Sequence, residues 1–208
     1  DSTPKGGTLI FCEEDDMAMV IASNQRTDVV QLHYPVHPYV LKNEITYLKA
    51  DFGLVPLKIF GKHNMLNLNG ARKLLSRIGI TDEMFYEAIS SFEGASKRLQ
   101  LLKEGKDVAV FLDFAHAPSK VEATTFAFKE RYNKRKLVAC LELHTFSSLN
   151  KDFINNYQDT LKAVDEACIY FNPHNNKQKE ESKISEEGVE NAFNFHQLKV
   201  FTDINKME

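Results

Sequence analysis

Three short polar clusters along the chain carry side chains that could bind the parts of a nucleotide. The first is GKHNMLN at residues 61–67, in which Asn64 and Asn67 offer amide groups. The second contains Arg98, and the third is DFAHAP at residues 113–118. An amide pairs a donor with an acceptor, as an adenine edge requires, and a guanidinium can hold phosphate oxygens in a bidentate manner. The order of the clusters therefore predicts a nucleotide site.

Each of the first two clusters also has a structural interpretation. His63, Asn64 and Asn67 fall at the start of a predicted helix, where Asn is a favoured cap. Because Asn64 and Asn67 are three residues apart, they also share one helix face and could contact one ligand. An arginine such as Arg98 more commonly pairs with a surface carboxylate. Taken singly, capping and surface pairing remain the simpler explanations.

Asp113 ends an apolar strand, and ligands of parallel α/β sheets bind beyond the carboxyl ends of the strands. A carboxylate there could accept hydrogen bonds from ribose hydroxyls, and His116 on the following loop could reach a nucleotide or a substrate. The structural alternative is that Asp113 caps the helix beginning near Ser119 or pairs with a lysine. The sequence leaves both interpretations open.

Polar residues also follow the next two predicted strands, and they would emerge at the same edge of a parallel sheet. These residues are His144, Thr145, Ser147 and Ser148 after one strand, and Asn172, Pro173 and His174 after the other. We expect His144, Thr145, Ser147 and Asn172 to line a pocket for a peptide or amino acid. Such residues are also routine turn formers.

No metal site is predicted. His33 and His37 occur in HYPVHP, and proline prevents the helix that would place both on one face. Cys12, Cys140 and Cys168 are widely spaced in apolar runs, which predicts buried, reduced thiols and neither a disulfide framework nor a zinc site.

The hydrophobic pattern predicts a small, partly antiparallel sheet in the first half, because prolines limit pairing there. Its strands are expected at 8–12, 28–34, 44–49 and 55–60, and a short helix at 14–22. Two helices then follow, with apolar faces Leu68, Ala71, Leu75, Ile78 and Phe85, Ala88, Ile89, Phe92; Gly79 would stop the first, and Thr81 or Asp82 would cap the second.

The second half alternates apolar strands with amphipathic helices, which predicts a Rossmann-like α/β domain with a mainly parallel sheet. Strands are expected at 108–112, 137–141, 167–171 and 198–202, and helices at 119–131, 151–163 and 186–194. A charged loop is expected at 177–183. The domain boundary should lie between Ser90 and Leu102, which gives domains 1–94 and 95–208.

Composition excludes several classes of protein. With 43% hydrophobic and 26% charged residues and a net charge of −3, the chain has the make-up of a globular domain without a general basic field, so nucleic-acid binding is disfavoured. No apolar stretch is long enough to span a bilayer, and no secretory signal pattern opens the chain. We expect a cytoplasmic protein and interpret the chain, which begins without Met, as a piece of a longer one.

The three clusters together resemble the Mur ligases, the ATP-dependent amide ligases of bacterial cell-wall precursors. The family pattern is Gly-x-His-Asn-x-x-Asn, then Phe-x-Gly with an Arg shortly after, then Asp-Tyr-Ala-His-x-Pro. This chain has GKHNMLN at 61–67, FEGASKR at 92–98 and DFAHAP at 113–118. The resemblance extends from about Thr8 to the C-terminus and implies the end of a central ATP-binding domain followed by a Rossmann-like C-terminal ligase domain.

By this resemblance, His63, Asn64 and Asn67 would contact the adenine end of ATP, Arg98 the phosphates, and Asp113 with His116 the ribose region; Arg98 and Asp113 would be catalytic. The partners implied are UDP-N-acetylmuramate and a peptide or amino-acid amine, with Mg²⁺ as cofactor. No Gly-x-x-x-x-Gly-Lys-Ser/Thr loop occurs, and the magnesium ligands are absent with it. The chain alone is therefore expected to be inactive.

Two departures bear on the branch of the family. The branch that adds L-alanine carries Pro-His-Arg-Tyr-Thr-Arg in a loop where this chain has LHTFSS at 143–148, and Ala117 replaces a second His. Both favour the branch that recycles a tripeptide. The alternatives are a folylpolyglutamate-synthase-type ligase, whose motif is Asp-Gly-Ala-His-Asn-Pro, and a non-catalytic nucleotide- or peptide-binding module, which the missing phosphate loop supports.

Overall fold

The structure, a computed structural model, describes residues 2–23, 26–173 and 184–206. The chain divides into two compact units, residues 1–94 and residues 95–208. Among the described residues, no helix is both long enough and apolar enough to cross a membrane. The charged segment 177–183 and His174 lie outside the described residues.

The first unit contains two small sheets and three helices. Its strands are β1 (Thr8–Cys12), β2 (Val30–Tyr34), β3 (Tyr39–Lys42), β4 (Ile45–Ala50) and β5 (Gly53–Leu57), and its helices are α1 (Asp16–Ala22), α2 (Lys62–Ser76) and α3 (Asp82–Ser91). β1 and β2 pair in parallel, whereas β3, β4 and β5 form an antiparallel sheet in that order. The unit is partly antiparallel, as predicted, but its strands form two sheets instead of one.

Strand β3 was missed because the neighbouring prolines argued against pairing. It begins at Tyr39, directly after Pro38, so every one of its residues has a backbone N–H. Pro56 does lie inside a strand, opposite Tyr47, but β5 is an edge of its sheet. An edge strand tolerates a residue that cannot donate, because that side of the strand has no partner.

The buried faces of α2 and α3 differ from the predicted ones. In α2, Met65 and Leu68 are buried, whereas Ala71 is exposed and Ile78 lies beyond the helix with 73% of its surface exposed. In α3, which Thr81 caps, Phe85 and Tyr86 are buried. The predicted face members Ala88 and Phe92 are exposed. The hydrophobic period therefore predicted the positions of both helices, but it did not predict which residues of each helix are buried.

Tyr86 is buried because its hydroxyl has a partner in the core. His37 is 2% exposed; its Nδ1–H donates to the Pro38 carbonyl at 2.9 Å, and its Nε2 accepts from the Tyr86 hydroxyl at 2.7 Å. The Arg72 guanidinium lies 5.5 Å from the centre of the Tyr86 ring and pairs with Asp82. His37 is therefore a structural histidine of the core, while His33 pairs at the surface with Glu13.

The second unit is built around a parallel sheet. Its strands are β6 (Gln100–Glu104), β7 (Ala109–Leu112), β8 (Val138–Glu142), β9 (Glu166–Tyr170) and β10 (Leu198–Phe201), and its helices are α4 (Pro118–Arg131) and α5 (Glu186–Phe193), with short 3₁₀ helices at Ile154–Tyr157 and Ile204–Lys206. β10, β9 and β8 pair in that order, all in parallel. The predicted α/β class and parallel sheet are confirmed.

Two elements of this unit were predicted wrongly. β7 is not in the parallel sheet: it pairs antiparallel with β6, which the sequence had left as linker, and Gly105 N–H donates to the Val108 carbonyl in the connecting turn. The expected helix at 151–163 is only a 3₁₀ turn. Asn150 Oδ1 accepts from the Asp152 and Phe153 amides, and Asp159 has a left-handed φ of 62°, so a continuous α-helix cannot form.

The helices of this unit begin and end where local signals place them. α4 starts with Pro118, and α5 is capped by Ser185, whose hydroxyl accepts from Gly188 N–H at 3.1 Å, and ends at Asn194 with φ 47°. The core includes the fully buried Tyr157, Ile169, Phe171, Val189 and Phe193. The expectation of buried thiols is wrong for Cys140, which is exposed; Cys12 and Cys168 are half-buried.

We predict that the first unit loses stability below about pH 6.5, the ordinary histidine value. Burial lowers the pKa of His37, and Arg72 adds to this against the opposing effects of Pro38 and Asp82. The unfolded state therefore takes up a proton at a higher pH than the folded state, and stability falls as pH decreases, with a limiting slope of about 1.4 kcal/mol per pH unit. Urea unfolding between pH 8 and 5 measures this slope.

At pH 8, His37→Gln should have a lower free energy of unfolding than the wild type. That free energy should also change less between pH 8 and pH 5. The matched control is Asn69→Ala, which removes another buried hydrogen bond of this unit but no titratable group, and it should keep the wild-type slope. An unchanged slope in His37→Gln would contradict the assignment.

Candidate functional site

The first polar cluster lies in the opening turn of α2. Gly61 precedes the helix with φ 90°, a conformation that favours glycine, and no side chain caps the helix. The Asn64 Nδ2 donates instead to the Phe60 carbonyl at 2.8 Å. His63 is half-buried and Asn67 is exposed. Capping is therefore not what these side chains do, and Asn64 retains its carbonyl oxygen and a second N–H for a ligand.

A third asparagine of the same helix has a structural role. Asn69 is 4% exposed, and its Nδ2 donates to the Pro35 carbonyl at 2.9 Å. The next residue, Gly70, lies against Tyr34 so closely that an added Cβ would come within 2.7 Å of the ring Cζ. Together they fix α2 against the end of β2. The amide spacing in the sequence does not distinguish this buried Asn from the exposed Asn67.

Arg98 lies in a turn with an unusual backbone conformation. Its two neighbours, Lys97 and Leu99, have left-handed φ values of 58° and 46°. For residues other than glycine, such a conformation costs on the order of 1–3 kcal/mol each and persists only where the surroundings hold it. The Phe114 N–H donates to the Lys97 carbonyl at 2.8 Å, which ties the turn to the residues after β7.

The Asp113 carboxylate completes this attachment. Its Oδ2 accepts from the Leu99 N–H at 2.7 Å, and its Oδ1 accepts from the Ala115 N–H at 2.6 Å. Neither structural role weighed from the sequence applies, since α4 begins after Ala117 without a side-chain cap and no ion pair of Asp113 occurs within the described residues. Asp113 holds the turn that carries Arg98, and its remaining lone pairs can still accept from a ligand.

Arg98 and three aromatic rings form a cluster at the ends of β7 and β8. The Arg98 Cζ lies 5.7 Å from the centre of the Phe114 ring, and Phe114 lies 4.9 Å from the His116 ring and 6.2 Å from the His144 ring. The two imidazoles are 6.1 Å apart. We call these four residues the Arg98 cluster. Phe114 is 47% exposed, so the cluster offers a cation and flat rings to solvent.

Backbone carbonyls set the tautomers of the two histidines. The His116 Nδ1–H donates to the Phe114 carbonyl at 2.9 Å, and the His144 Nδ1–H donates to the Glu142 carbonyl at 3.4 Å. In each neutral ring, Nε2 is then the acceptor. The sequence placed His116 and His144 at one edge of a single parallel sheet, which is wrong because β7 and β8 lie in different sheets, but the two rings still lie near each other.

Tyr157 is a positioning residue that sequence reasoning missed. It is fully buried, and its hydroxyl donates to the His116 carbonyl. Burial raises the pKa of Tyr157 to about 12, so the hydroxyl keeps its proton at neutral pH. The two residues are 41 positions apart, and no local pattern joins them.

The loop after β8 uses some of its predicted substrate-binding groups internally. The Thr145 Oγ1 donates to the Ser148 Oγ at 2.8 Å and accepts from the Ser148 N–H at 3.1 Å, and the Ser148 Oγ donates to the Thr145 carbonyl. Ser147 and His144 are exposed, and Asn172 is half-buried after β9. Thr145 therefore shapes the loop, while His144 and Ser147 face outward from it.

A cavity of about 550 Å³ lies beside the Arg98 cluster, between β7, β8 and α4. Asp113 and Ala115 reach its wall, but most of its lining is apolar and includes Phe111, Val121 and Phe128. Arg135 and Lys136 also line it, but of the predicted ATP-binding residues only Asp113 does, so the cavity is not the expected nucleotide pocket. Among the described residues, no group of three or more His, Cys, Asp or Glu could hold a metal ion.

Sequence comparison identifies relatives of this chain. No family model matches it. It is 28% identical over 173 residues to a UDP-N-acetylmuramate–L-alanine ligase of Endomicrobium trichonymphae, covering 78% of this chain and 38% of that protein. It is 31% identical over 153 residues to the ligase of the same name from Caldicellulosiruptor bescii, covering 72% and 32%.

The chain belongs to the Mur ligase family. It spans about a third of the length of these curated relatives.

Solved structures share the fold of this Mur ligase chain. The UDP-N-acetylmuramate–alanine ligase of Thermotoga maritima matches at TM-score 0.66 and 15% identity, over 93% of this chain and 43% of that one. The murein peptide ligase of Psychrobacter arcticus matches at 0.59 and 18%, over 100% and 45%. A folylpolyglutamate synthase of Mycobacterium tuberculosis, complexed with ADP, matches at 0.60 and 15%, over 89% and 42%. At these identities the matches show the fold alone.

We predict that Asp113→Ala accelerates amide hydrogen exchange at Leu99 and Ala115 by one to two orders of magnitude. Each amide would lose its carboxylate acceptor, and removing such a partner costs about 1–3 kcal/mol. Arg98→Ala should leave both exchange rates close to wild type, because the exposed guanidinium packs on a ring and holds no backbone group within the part of the chain that the structure describes. Exchange followed residue by residue measures this.

The matched control is Asp107→Ala, which removes an exposed aspartate just before β7. Wild-type exchange at Leu99 and Ala115 in Asp113→Ala would contradict the proposal that the Asp113 carboxylate holds both amides.

Proposed function

We propose that this chain is part of an ATP-dependent amide ligase that joins a peptide or amino-acid amine to UDP-N-acetylmuramate in cell-wall precursor metabolism. The observation that carries the proposal is the strained Lys97–Leu99 turn, which Asp113 holds and which places Arg98 on Phe114. Backbone strain that the surroundings maintain is typical of functional sites. Family membership supplies the reaction class. Because the proposed reaction consumes ATP, we expect the enzyme to act in the cytoplasm.

Within this proposal, the first unit binds the base of ATP. Asn64 offers a carbonyl oxygen and an N–H, Asn67 offers a second exposed amide, and His63 lies beside them in the same turn. A fixed donor and acceptor pair fits the edge of adenine better than a flexible charged side chain does. These three residues orient ATP and take no part in bond making.

The second unit supplies charge and position. Arg98 would hold phosphate oxygens, for which its planar fork is suited. Asp113 would fix Arg98 through the backbone and accept from the ribose with its remaining lone pairs, and His116 would contact the nucleotide through Nε2. His144, Ser147, Thr145 and Asn172 would face the incoming amine substrate, with Thr145 acting through the shape of its loop.

The reaction has two steps. The terminal phosphoryl group of ATP passes to the muramate carboxylate, which releases ADP and gives an acyl phosphate. The amine nitrogen then attacks the carbonyl carbon, and the C–O bond to phosphate breaks, so that an amide forms and inorganic phosphate and a proton are released. The acyl phosphate is easily hydrolysed, so catalysis depends on holding the amine in place and excluding water. The groups of this chain stabilise phosphate charge and position both partners.

Two other functions predict different motifs in the sequence. A folylpolyglutamate synthase shares the fold, but Phe114 and Ala117 depart from its Asp-Gly-Ala-His-Asn-Pro pattern. A non-catalytic binding module agrees with the absence of a phosphate loop from this sequence. A Gly-rich Lys-Ser/Thr loop encoded upstream in the same reading frame would exclude the binding module.

We predict that the 208-residue chain alone neither hydrolyses ATP nor binds Mg-ATP tightly. The chain carries the residues proposed for the base and the ribose, but the sequence has no phosphate loop to neutralise the β- and γ-phosphates. Calorimetric titration and a phosphate-release assay measure the two properties. Submicromolar affinity or measurable turnover would contradict the proposal that this chain supplies only part of the site.

For the longer enzyme, we predict a higher kcat/KM with the tripeptide L-alanyl-γ-D-glutamyl-meso-diaminopimelate than with L-alanine. The loop at 143–148 has no arginine to clamp an amino-acid carboxylate, and its hydroxyls leave room for a longer polar amine. Competition between the two amines with UDP-N-acetylmuramate measures the preference. A higher kcat/KM for L-alanine would instead favour the activity named for the curated relatives.

A further inference from the structure

Two cysteines face each other across neighbouring strands of the parallel sheet. Cys140 in β8 and Cys168 in β9 are register partners, and their Sγ atoms lie 2.8 Å apart. Register partners project from the same face of a sheet, and adjacent strands are about 4.8 Å apart, which lies within the Cα separations of about 4.4–6.8 Å that disulfides span. Both thiols are free. A bond between them therefore needs no change in strand pairing.

The two thiols have different surroundings. Cys140 is exposed, lines the cavity between β7 and β8, and accepts the S–H of Cys168. Cys168 is half-buried, and burial followed by its contact with Cys140 raises the pKa of Cys168 to about 12. Lys199 is the register partner of Cys168 on its other side and is exposed. Across β8, β9 and β10, the neighbouring residues are therefore an exposed thiol, a half-buried thiol and a lysine ammonium group.

We propose that Cys140 and Cys168 form a reactive dithiol site that takes a small anionic disulfide, of which glutathione disulfide is the probe. Cys140 is the attacking thiol, because it is the one that solvent reaches. Cys168 is the resolving thiol, because it lies beside the Cys140 sulfur. Lys199 offers a cation to the carboxylates of the bound disulfide. This inference does not depend on the ligase activity.

The reaction balances in two exchanges. The Cys140 sulfur attacks one sulfur of glutathione disulfide, the S–S bond breaks, and one glutathione leaves with the proton that Cys140 lost. The Cys168 sulfur then attacks the Cys140 sulfur of the mixed disulfide, and the second glutathione leaves with the Cys168 proton. Two protein thiols are oxidised to one disulfide, and one glutathione disulfide is reduced to two thiols.

The test is oxidation of the 208-residue chain with glutathione disulfide, followed by thiol counting and non-reducing peptide mapping. We expect the thiol count to fall from three to one, with Cys140 linked to Cys168 and Cys12 left free, and dithiothreitol should restore all three. Three remaining thiols, stable glutathione adducts on the wild type, or links between chains would overturn the proposal.

Serine variants test the order of attack. Cys168→Ser should accumulate a glutathione adduct at Cys140, whereas Cys140→Ser should form no adduct at Cys168. Cys12→Ser is the matched control and should still form the bridge. Lys199→Gln should slow the reaction with glutathione disulfide several-fold while leaving the rate with a neutral disulfide unchanged. An adduct at Cys168 in Cys140→Ser would overturn the assigned roles, and circular dichroism checks that each variant is folded.

Discussion

The Asp113 carboxylate joins two backbone segments, and the arrangement of the candidate site in the second unit depends on it. One oxygen holds the amide of Leu99 and the other holds the amide of Ala115. Through the first bond the carboxylate maintains a turn with two left-handed residues, and through the second it shapes the loop that carries His116. Charged acceptors bind amides more strongly than neutral ones. One side chain thereby positions Arg98, Phe114 and His116.

This dependence explains why a structural and a functional interpretation of Asp113 do not exclude each other. The sequence allowed Asp113 to be a ligand contact, a helix cap or the partner of a lysine. In the structure it supports the residues that would meet the ligand, and its unused lone pairs remain able to accept. Tyr157 gives the same kind of support from the core side, by fixing the His116 carbonyl. Both residues fix the site geometry before a ligand arrives.

The first unit uses neutral hydrogen bonds for a similar purpose. Asn64 attaches the first turn of α2 to Phe60, and Asn69 attaches the middle of the helix to Pro35. His37 with Tyr86 joins the loop before β3 to α3. The His37 ring, the Tyr86 hydroxyl and the amide Nδ2 atoms of Asn64 and Asn69 each have a partner, whereas the buried Asn69 Oδ1 has none among the described residues. The α2 turn that carries the amides is therefore held by the core of its own unit.

The sequence by itself determined the family, the α/β class, and the positions of α2, α4, α5, β8, β9 and β10. The family follows from the resemblance of the three motifs, and the elements follow from local signals, such as hydrophobic period, Thr81 and Ser185 as caps, and Pro118 at a helix start. Only the tertiary structure decided that β7 pairs with β6, that Ala88 and Phe92 are exposed, and that Cys140 meets Cys168. A local pattern records which faces are apolar within one element, whereas strand partners and buried polar contacts depend on residues far apart in the chain.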